Sequence, residues 1–149
     1  MQDITRVVAI RAAAGAAAAA AIASISLVAM GTTSEAAVTT CRGVTATEVG
    51  TAGRDVIDGT AGRDVIAALG GNDDIDAGGG NDLVCGGSGA DEIDGDAGAD
   101  RLFGQGGNDE IDGQAGDDRL DGGLGFDDLD GELGVDTCVN GENVDDCEN

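Results

Sequence analysis

Along most of the chain, large apolar residues come singly and nine residues apart. Ile57, Ile66, Ile75, Val84, Ile93, Leu102, Ile111, Leu120 and Leu129 form the series, and Cys138 takes its tenth place. A helical stripe would repeat every 3.6 residues and a half-buried strand every two, so the spacing fits neither. It divides Gly50 to Val139 into ten nine-residue units without a gap, with the apolar residue at position eight of each. Position four is Gly in all ten units, from Gly53 to Gly134. Position six is Asp in all ten: Asp55, Asp64, Asp73, Asp82, Asp91, Asp100, Asp109, Asp118, Asp127 and Asp136. Position one is Gly except at Ala68 and Ala77, and position two varies freely.

Each unit predicts a six-residue turn, relaxed by the position-four Gly, followed by a three-residue strand. Side chains alternate along a strand, so position eight points inward when seven and nine point outward. Two units then make one coil, with a strand on each side and a turn at each end. Stacked coils place like strands in parallel about 4.8 Å apart, so five coils would stand about 20–25 Å high. The core of such a stack is thin. One aliphatic side chain per half-coil buries too little area to order a whole unit, so something other than apolar packing must hold the coils.

Composition points to what that is. The sequence has 28 Gly, no Pro and only two aromatic residues, Phe103 and Phe126. Thirty acidic residues face seven Arg and no Lys, for a net charge of −23. Such a balance alone suggests disorder, but the strict repeat argues against it. A nucleic-acid partner is excluded for want of Lys/Arg clusters, and a phosphate-cradling loop for want of its Lys. Multivalent cations suit so many carboxylates.

The repeats match the G-G-x-G-x-D-x-U-x pattern, and the chain resembles the RTX, or haemolysin-type, calcium-binding proteins over 90 of its 149 residues. That resemblance implies an all-β fold, a right-handed parallel β-roll (a β-solenoid of tandem nonapeptide repeats). It also implies Ca2+ between the turns of adjacent coils, held by the ten position-six Asp and by turn carbonyls. Five turns per side leave four gaps, hence at most eight ions. The Ala at positions 68 and 77 removes no side-chain ligand.

Residues 1–36 read as an export signal peptide: Arg6 and Arg11, an Ala-rich run from Ala12 to Met30, then Ser34-Glu35-Ala36. The competing reading is an uncleaved anchor. With cleavage the mature chain is expected to be secreted, with no membrane span. Residues 37–49 then form an amino-terminal cap segment and 140–149 a carboxy-terminal cap. All four cysteines follow the leader, and an even number in an exported domain predicts two disulfides, with three pairings open. In a roll, Cys138 and Cys147 both fall at position eight, face to face across the core, and are expected to bond and seal the end. Cys41 and Cys85 are then left for each other. The outward positions separate into two faces. One carries nine acids among ten residues; the other carries Val65, Ala67, Leu83, Cys85, Arg101, Phe103, Arg119, Asp121, Thr137 and Val139. A Cys41–Cys85 bond is expected to pin residues 38–45 over Val65 and Leu83 on that second face.

An EF-hand would need flanking helices and a Glu at loop position twelve, which the nine-residue period does not supply. Paired carboxylates could serve a glycosidase, but the repeated ones already have a role. With no His, no Lys and one Ser after the leader (Ser88), no enzyme is expected. Nor is a toxin or protease role, since no enzyme domain precedes the roll. The expected function is that of a secreted calcium-binding, structural or surface-associated protein. The alternative is a calcium-dependent carbohydrate- or surface-binding module, although such a face has only Phe103 as an aromatic platform on a strand.

Overall fold

In a computed structural model, residues 39–148 are described, and every regular element among them is a strand. The expected signal peptide, 1–36, lies outside the described residues, as do the first two residues of the amino-terminal cap. Among the described residues no helix is long and apolar enough to cross a membrane.

The chain winds into two parallel six-stranded sheets facing each other. One holds β4 (Val56–Thr60), β6 (Asp74–Gly78), β8 (Glu92–Asp94), β10 (Glu110–Asp112), β12 (Asp128–Asp130) and β14 (Asn143–Asp145). The other holds β3 (Glu48–Val49), β5 (Val65–Ala67), β7 (Leu83–Ser88), β9 (Arg101–Gly106), β11 (Arg119–Leu124) and β13 (Thr137–Val139). Consecutive strands alternate between the sheets, the path of a β-solenoid. The register is the nine-residue period doubled: Ile57 pairs with Ile75, Ile75 with Ile93, Ile93 with Ile111 and Ile111 with Leu129. Across the core, Ile66, Val84, Leu102, Leu120 and Cys138 line up in the same way. These side chains are the core, and most of them are wholly buried. Ala68 and Ala77 add their methyl groups to it, so position one of the second coil is core as well as turn.

Turns are laddered like strands. The Gly80 N–H donates to Ala97 O at 2.7 Å and the Gly89 N–H to Gly106 O at 2.8 Å, each one coil on. Such close stacking explains the invariant position-four Gly. At Gly107 (φ +146°) a Cβ would fall on the carbonyl oxygen of Gly89, in the coil before it. Position two is also more constrained than its variability suggests. Leu69, Asp96, Gln105, Gln114 and Glu132 all hold positive φ there, between 57° and 79°. L-residues enter that region at a cost, which the stacked neighbours must offset.

Both ends depart from the simple ten-unit stack. At the amino-terminal end the solenoid begins before Gly50. Glu48 pairs with Ile66 and Val49 with Ala67, so 41–49 behaves as a further unit with Glu48, 4% exposed, in the core position. At the carboxy-terminal end Cys138 and Cys147 are bonded, but Cys147 does not occupy a strand position. The strand is centred on Val144, which pairs with Leu129 fifteen residues back. The last half-coil is three residues short, and Cys147 reaches Cys138 from beyond the strand and packs against the core.

A small antiparallel hairpin, β1 (Thr40–Cys41) and β2 (Val44–Thr45), lies over the second sheet, tied by Cys41–Cys85. Cys41, Ala46, Val65, Ala67, Leu83, Cys85 and Phe103 make a second apolar cluster beneath it. Arg42 stacks over the Phe103 ring, 4.5 Å from its centroid. Thr47 completes the join: its N–H donates to Val65 O at 2.7 Å, and its Oγ1 accepts the Val65 N–H at 2.8 Å. A bond spanning 44 residues also restricts the unfolded chain, by about 4 kcal/mol on the chain-entropy account.

The position-four glycines should not be equivalent. At Gly53, in the first coil, an added Cβ would meet nothing closer than Thr51 Oγ1, at 3.9 Å. Thermal melts in calcium should therefore show Gly53→Ala within about 0.5 kcal/mol of the parent. Gly107→Ala should lose more than about 2 kcal/mol, because backbone must move to admit the methyl group.

Candidate metal-binding columns

The ten position-six Asp sit at the inner end of each turn, where the chain enters a strand, and all are buried, 0–6% exposed. Coil stacking sorts them into two columns on opposite sides of the roll. Asp55, Asp73, Asp91, Asp109 and Asp127 form one; Asp64, Asp82, Asp100, Asp118 and Asp136 form the other. Within a column each Oδ1 from the second coil on accepts the backbone N–H of the Asp one coil earlier. Asp55 N–H donates to Asp73 Oδ1 at 2.8 Å, Asp91 N–H to Asp109 Oδ1 at 3.0 Å and Asp100 N–H to Asp118 Oδ1 at 2.7 Å. The contact repeats at every step of both columns.

The second oxygen is different. Oδ2 of Asp73, Asp82, Asp91, Asp100, Asp109, Asp118, Asp127 and Asp136 is buried and has no hydrogen-bond partner. Asp55 and Asp64 are the exceptions. Asp55 Oδ2 accepts the Thr51 N–H at 2.5 Å and the Thr51 hydroxyl at 3.0 Å; Asp64 Oδ2 accepts the Thr60 N–H and hydroxyl, both at 2.7 Å. The first coil thus satisfies its carboxylates with its own threonines.

Position-one Gly leaves a space beside six of the eight orphaned oxygens; in the units of Asp73 and Asp82 position one is Ala68 and Ala77. A Cβ placed on Gly86 would lie 2.5 Å from Asp91 Oδ2 and 3.1 Å from Gly104 O of the next coil. On Gly113 the same point lies 2.9 Å from Asp118 Oδ2 and 3.1 Å from Gly131 O. A carboxylate oxygen and a carbonyl oxygen therefore flank the spot that a side chain would fill, with no donor between them. No three Asp, Glu or Cys side chains converge into a cage among the described residues. The donor set is all oxygen, part carboxylate and part backbone carbonyl. Ca2+ takes such a set, six to eight hard oxygens in flexible geometry, and the residues fit that ion.

Electrostatics agree. Burial pushes the carboxyls of Asp73, Asp100 and Asp109 up to about 6, against the pull of the backbone N–H each accepts; neighbouring Asp in the column push the same way. Asp82, Asp91 and Asp118 are raised by the same burial. A buried carboxylate without a positive partner either takes a proton or needs a cation. On the acidic face, burial followed by repulsion from Asp94, Asp130, Glu110 and Glu132 raises Asp112 to about 6 as well.

All ten Asp expected from the repeat lie in the columns, but Thr51 and Thr60 were not legible as partners for the first pair. Two carboxy-terminal residues were also missed. The Asp127 N–H donates to Glu142 Oε2 and the Asp136 N–H to Glu148 Oε2, each at 2.8 Å. Both glutamates lie where the nine-residue register has already lapsed, so the repeat could not mark them. Phe103 is 2% exposed under the hairpin, and no glycan could stack on it.

The chain matches the RTX calcium-binding nonapeptide repeat family in four stretches, residues 49–84, 86–120, 103–138 and 112–146. No curated protein and no solved structure matches it.

Two measurements test the columns. Asp91→Ala leaves the Asp73 N–H without its acceptor and removes a buried Oδ2 from mid-column, whereas Asp55→Ala removes an end carboxylate already held by Thr51. Calcium titration should show the larger loss of affinity and stability for Asp91→Ala, and equal losses would count against stacked sites. The pH dependence without calcium follows from the raised carboxyls. Their folded values of about 6 exceed the ordinary 3.8, so protonation favours the roll. That stabilisation is complete below 3.8 and is lost as pH rises through about 6. Chelated protein should therefore gain strand signal on acidification from pH 7 to about 5.

Proposed function

Because the chain belongs to the family of RTX calcium-binding repeat proteins, we propose that it is a secreted Ca2+-binding protein with a structural or surface-associated extracellular role. The observation that carries the reading is the set of eight buried, unpartnered Asp Oδ2 atoms, arranged in two columns. At neutral pH these oxygens are acceptors without donors in a thin core. Bound Ca2+ supplies the positive charge and coordination that they lack. The chain's own part is to hold the acceptors in place. Oδ1 is fixed by the N–H one coil back, Oδ2 is left free, and from the third coil on position-one Gly keeps side chains out of the gap. Up to eight ions would offset 16 of the 23 excess negative charges.

On this reading the protein is not an enzyme. His and Lys, the usual activators of a nucleophile, are missing from the sequence, and Ser88 sits at the end of β7. A secreted protein is proposed from the leader: two Arg, the Ala-rich run and the small-residue site before Ala37. Two disulfides suit an oxidising compartment. The proposed partners are the calcium ions themselves and a cell or matrix surface. The carbohydrate-binding alternative loses its one strand-borne aromatic to the hairpin.

Chelated mature protein should be largely disordered by far-ultraviolet circular dichroism, and Ca2+ should restore a strand spectrum with dissociation constants of about 0.1–1 mM. An unchanged spectrum and melting point after chelation would sink the proposal. Recovery from the culture medium with an amino terminus at or near Ala37 would support export; retention in the cell with an intact leader would refute it.

A further inference from the structure

We infer that Glu142 and Glu148 are the sixth carboxylates of the two columns and close one further cation site on each side, beyond the last repeat. The inference rests on the calcium reading above and extends it to residues outside the nonapeptide pattern.

Each interior gap has three parts: an Asp Oδ2 without a partner, a carbonyl oxygen from position one of the next coil, and that coil's carboxylate anchored on the Asp N–H. Asp127 and Asp136 are in the last full coil, yet all three parts are present for both. Their Oδ2 atoms are buried and unpartnered, with the residues 1% and 0% exposed. The carbonyl of Asn140 stands over Gly122, 2.5 Å from where its Cβ would be, and the carbonyl of Asp146 stands over Gly131 in the same way. Glu142 and Glu148 take the N–H groups of Asp127 and Asp136 at the 2.8 Å seen inside the columns. Backbone pairing is imitated too, with the Asn143 N–H donating to Asp127 O at 3.2 Å and the Glu148 N–H to Asp136 O at 2.8 Å.

The change from Asp to Glu has a geometric reason. Interior partners are 18 residues apart, but Glu142 follows Asp127 by 15 and Glu148 follows Asp136 by 12. The coil that carries them is shortened, and the extra methylene of Glu lets each carboxylate reach the same N–H from a different place in the chain. On the second column Cys147, bonded to Cys138, holds Glu148 in place from the adjoining residue. At the opposite end Thr51 and Thr60 fill the Oδ2 positions of the first coil, so hydroxyls terminate the columns there. The cation-binding part of the roll is displaced toward the carboxy terminus.

The test uses the mature, oxidised chain and counts bound Ca2+ by equilibrium dialysis and calorimetry. Glu142→Gln and Glu148→Gln keep an oxygen that can accept the same N–H but lose the charge, so they separate a ligand from a cap. Each variant should bind one Ca2+ fewer than the parent, and the double variant two fewer. Glu110→Gln, an exposed acid on β10, should bind the parent number. Cys138→Ser with Cys147→Ser should lose the same ion as Glu148→Gln, and adding Glu148→Gln to that pair should cost nothing more. A double Gln variant that binds the parent number with parent affinity overturns the inference and leaves the two glutamates as hydrogen-bonding caps. If the double variant fails to gain strand signal in calcium, the single variants decide by the same count. A parent that binds no Ca2+ would instead overturn the functional reading itself.

Discussion

Ten carboxylates are buried in a roll whose apolar core is one side chain deep, and one contact makes that possible. From the second coil on, each position-six Asp gives one oxygen to the backbone N–H of the Asp a coil earlier, which ties turn to turn at the point where strand pairing begins. The contact fixes the coil at two repeats, because a slip of a single residue would move every carboxylate off its N–H and every aliphatic side chain out of the core. It also leaves the other oxygen with nothing. A negatively charged acceptor without a partner is costly in a dry site, so the arrangement that sets the register also creates the demand for a cation. Structure and ligand binding here are one requirement.

The glycines follow from the same close approach. Position four passes so near the preceding coil that a methyl group would meet backbone oxygen, and position one faces the orphaned carboxylate. Position one from the third coil on and position four from the second need the missing Cβ, and position four adds a positive φ in the coils that have a predecessor. The variation tolerated at position one shows the limit. Ala68 and Ala77 sit in the second coil, where their methyl groups turn into the core.

A stack of identical coils has unsatisfied first and last members, and the chain treats its two ends differently. Thr51 and Thr60 satisfy the first carboxylates, while Glu48 enters the core position of an extra half-coil. A shortened last coil, a disulfide and two glutamates finish the other end. The amino-terminal hairpin does separate work. It converts the part of an outward sheet face with Val65, Leu83 and Phe103 into a second small core.

The nine-residue period of Ile, Leu and Val, with Asp and Gly at fixed offsets, by itself determined the all-strand solenoid, its register and the ten carboxylates. Those features depend on local spacing, and every unit repeats the same information. The pairing of Cys41 with Cys85 was legible for a related reason: the alternation of strand side chains put Cys85 on an apolar face needing a cover. What only the tertiary structure decided lies where periodicity fails. Val144 rather than Cys147 takes the last strand position, because the closing loop is shorter than a full turn. Glu48 becomes a core residue although its own unit has Ala46 in place of the Asp. Thr51 and Thr60, the two threonines at position two, hold the carboxylates of their own units at the start of the columns. Glu142 and Glu148 join the columns through reach across space rather than through any spacing in the chain. A repeat states what one unit needs from its neighbours; which residues answer when a neighbour is missing is settled by the folded ends.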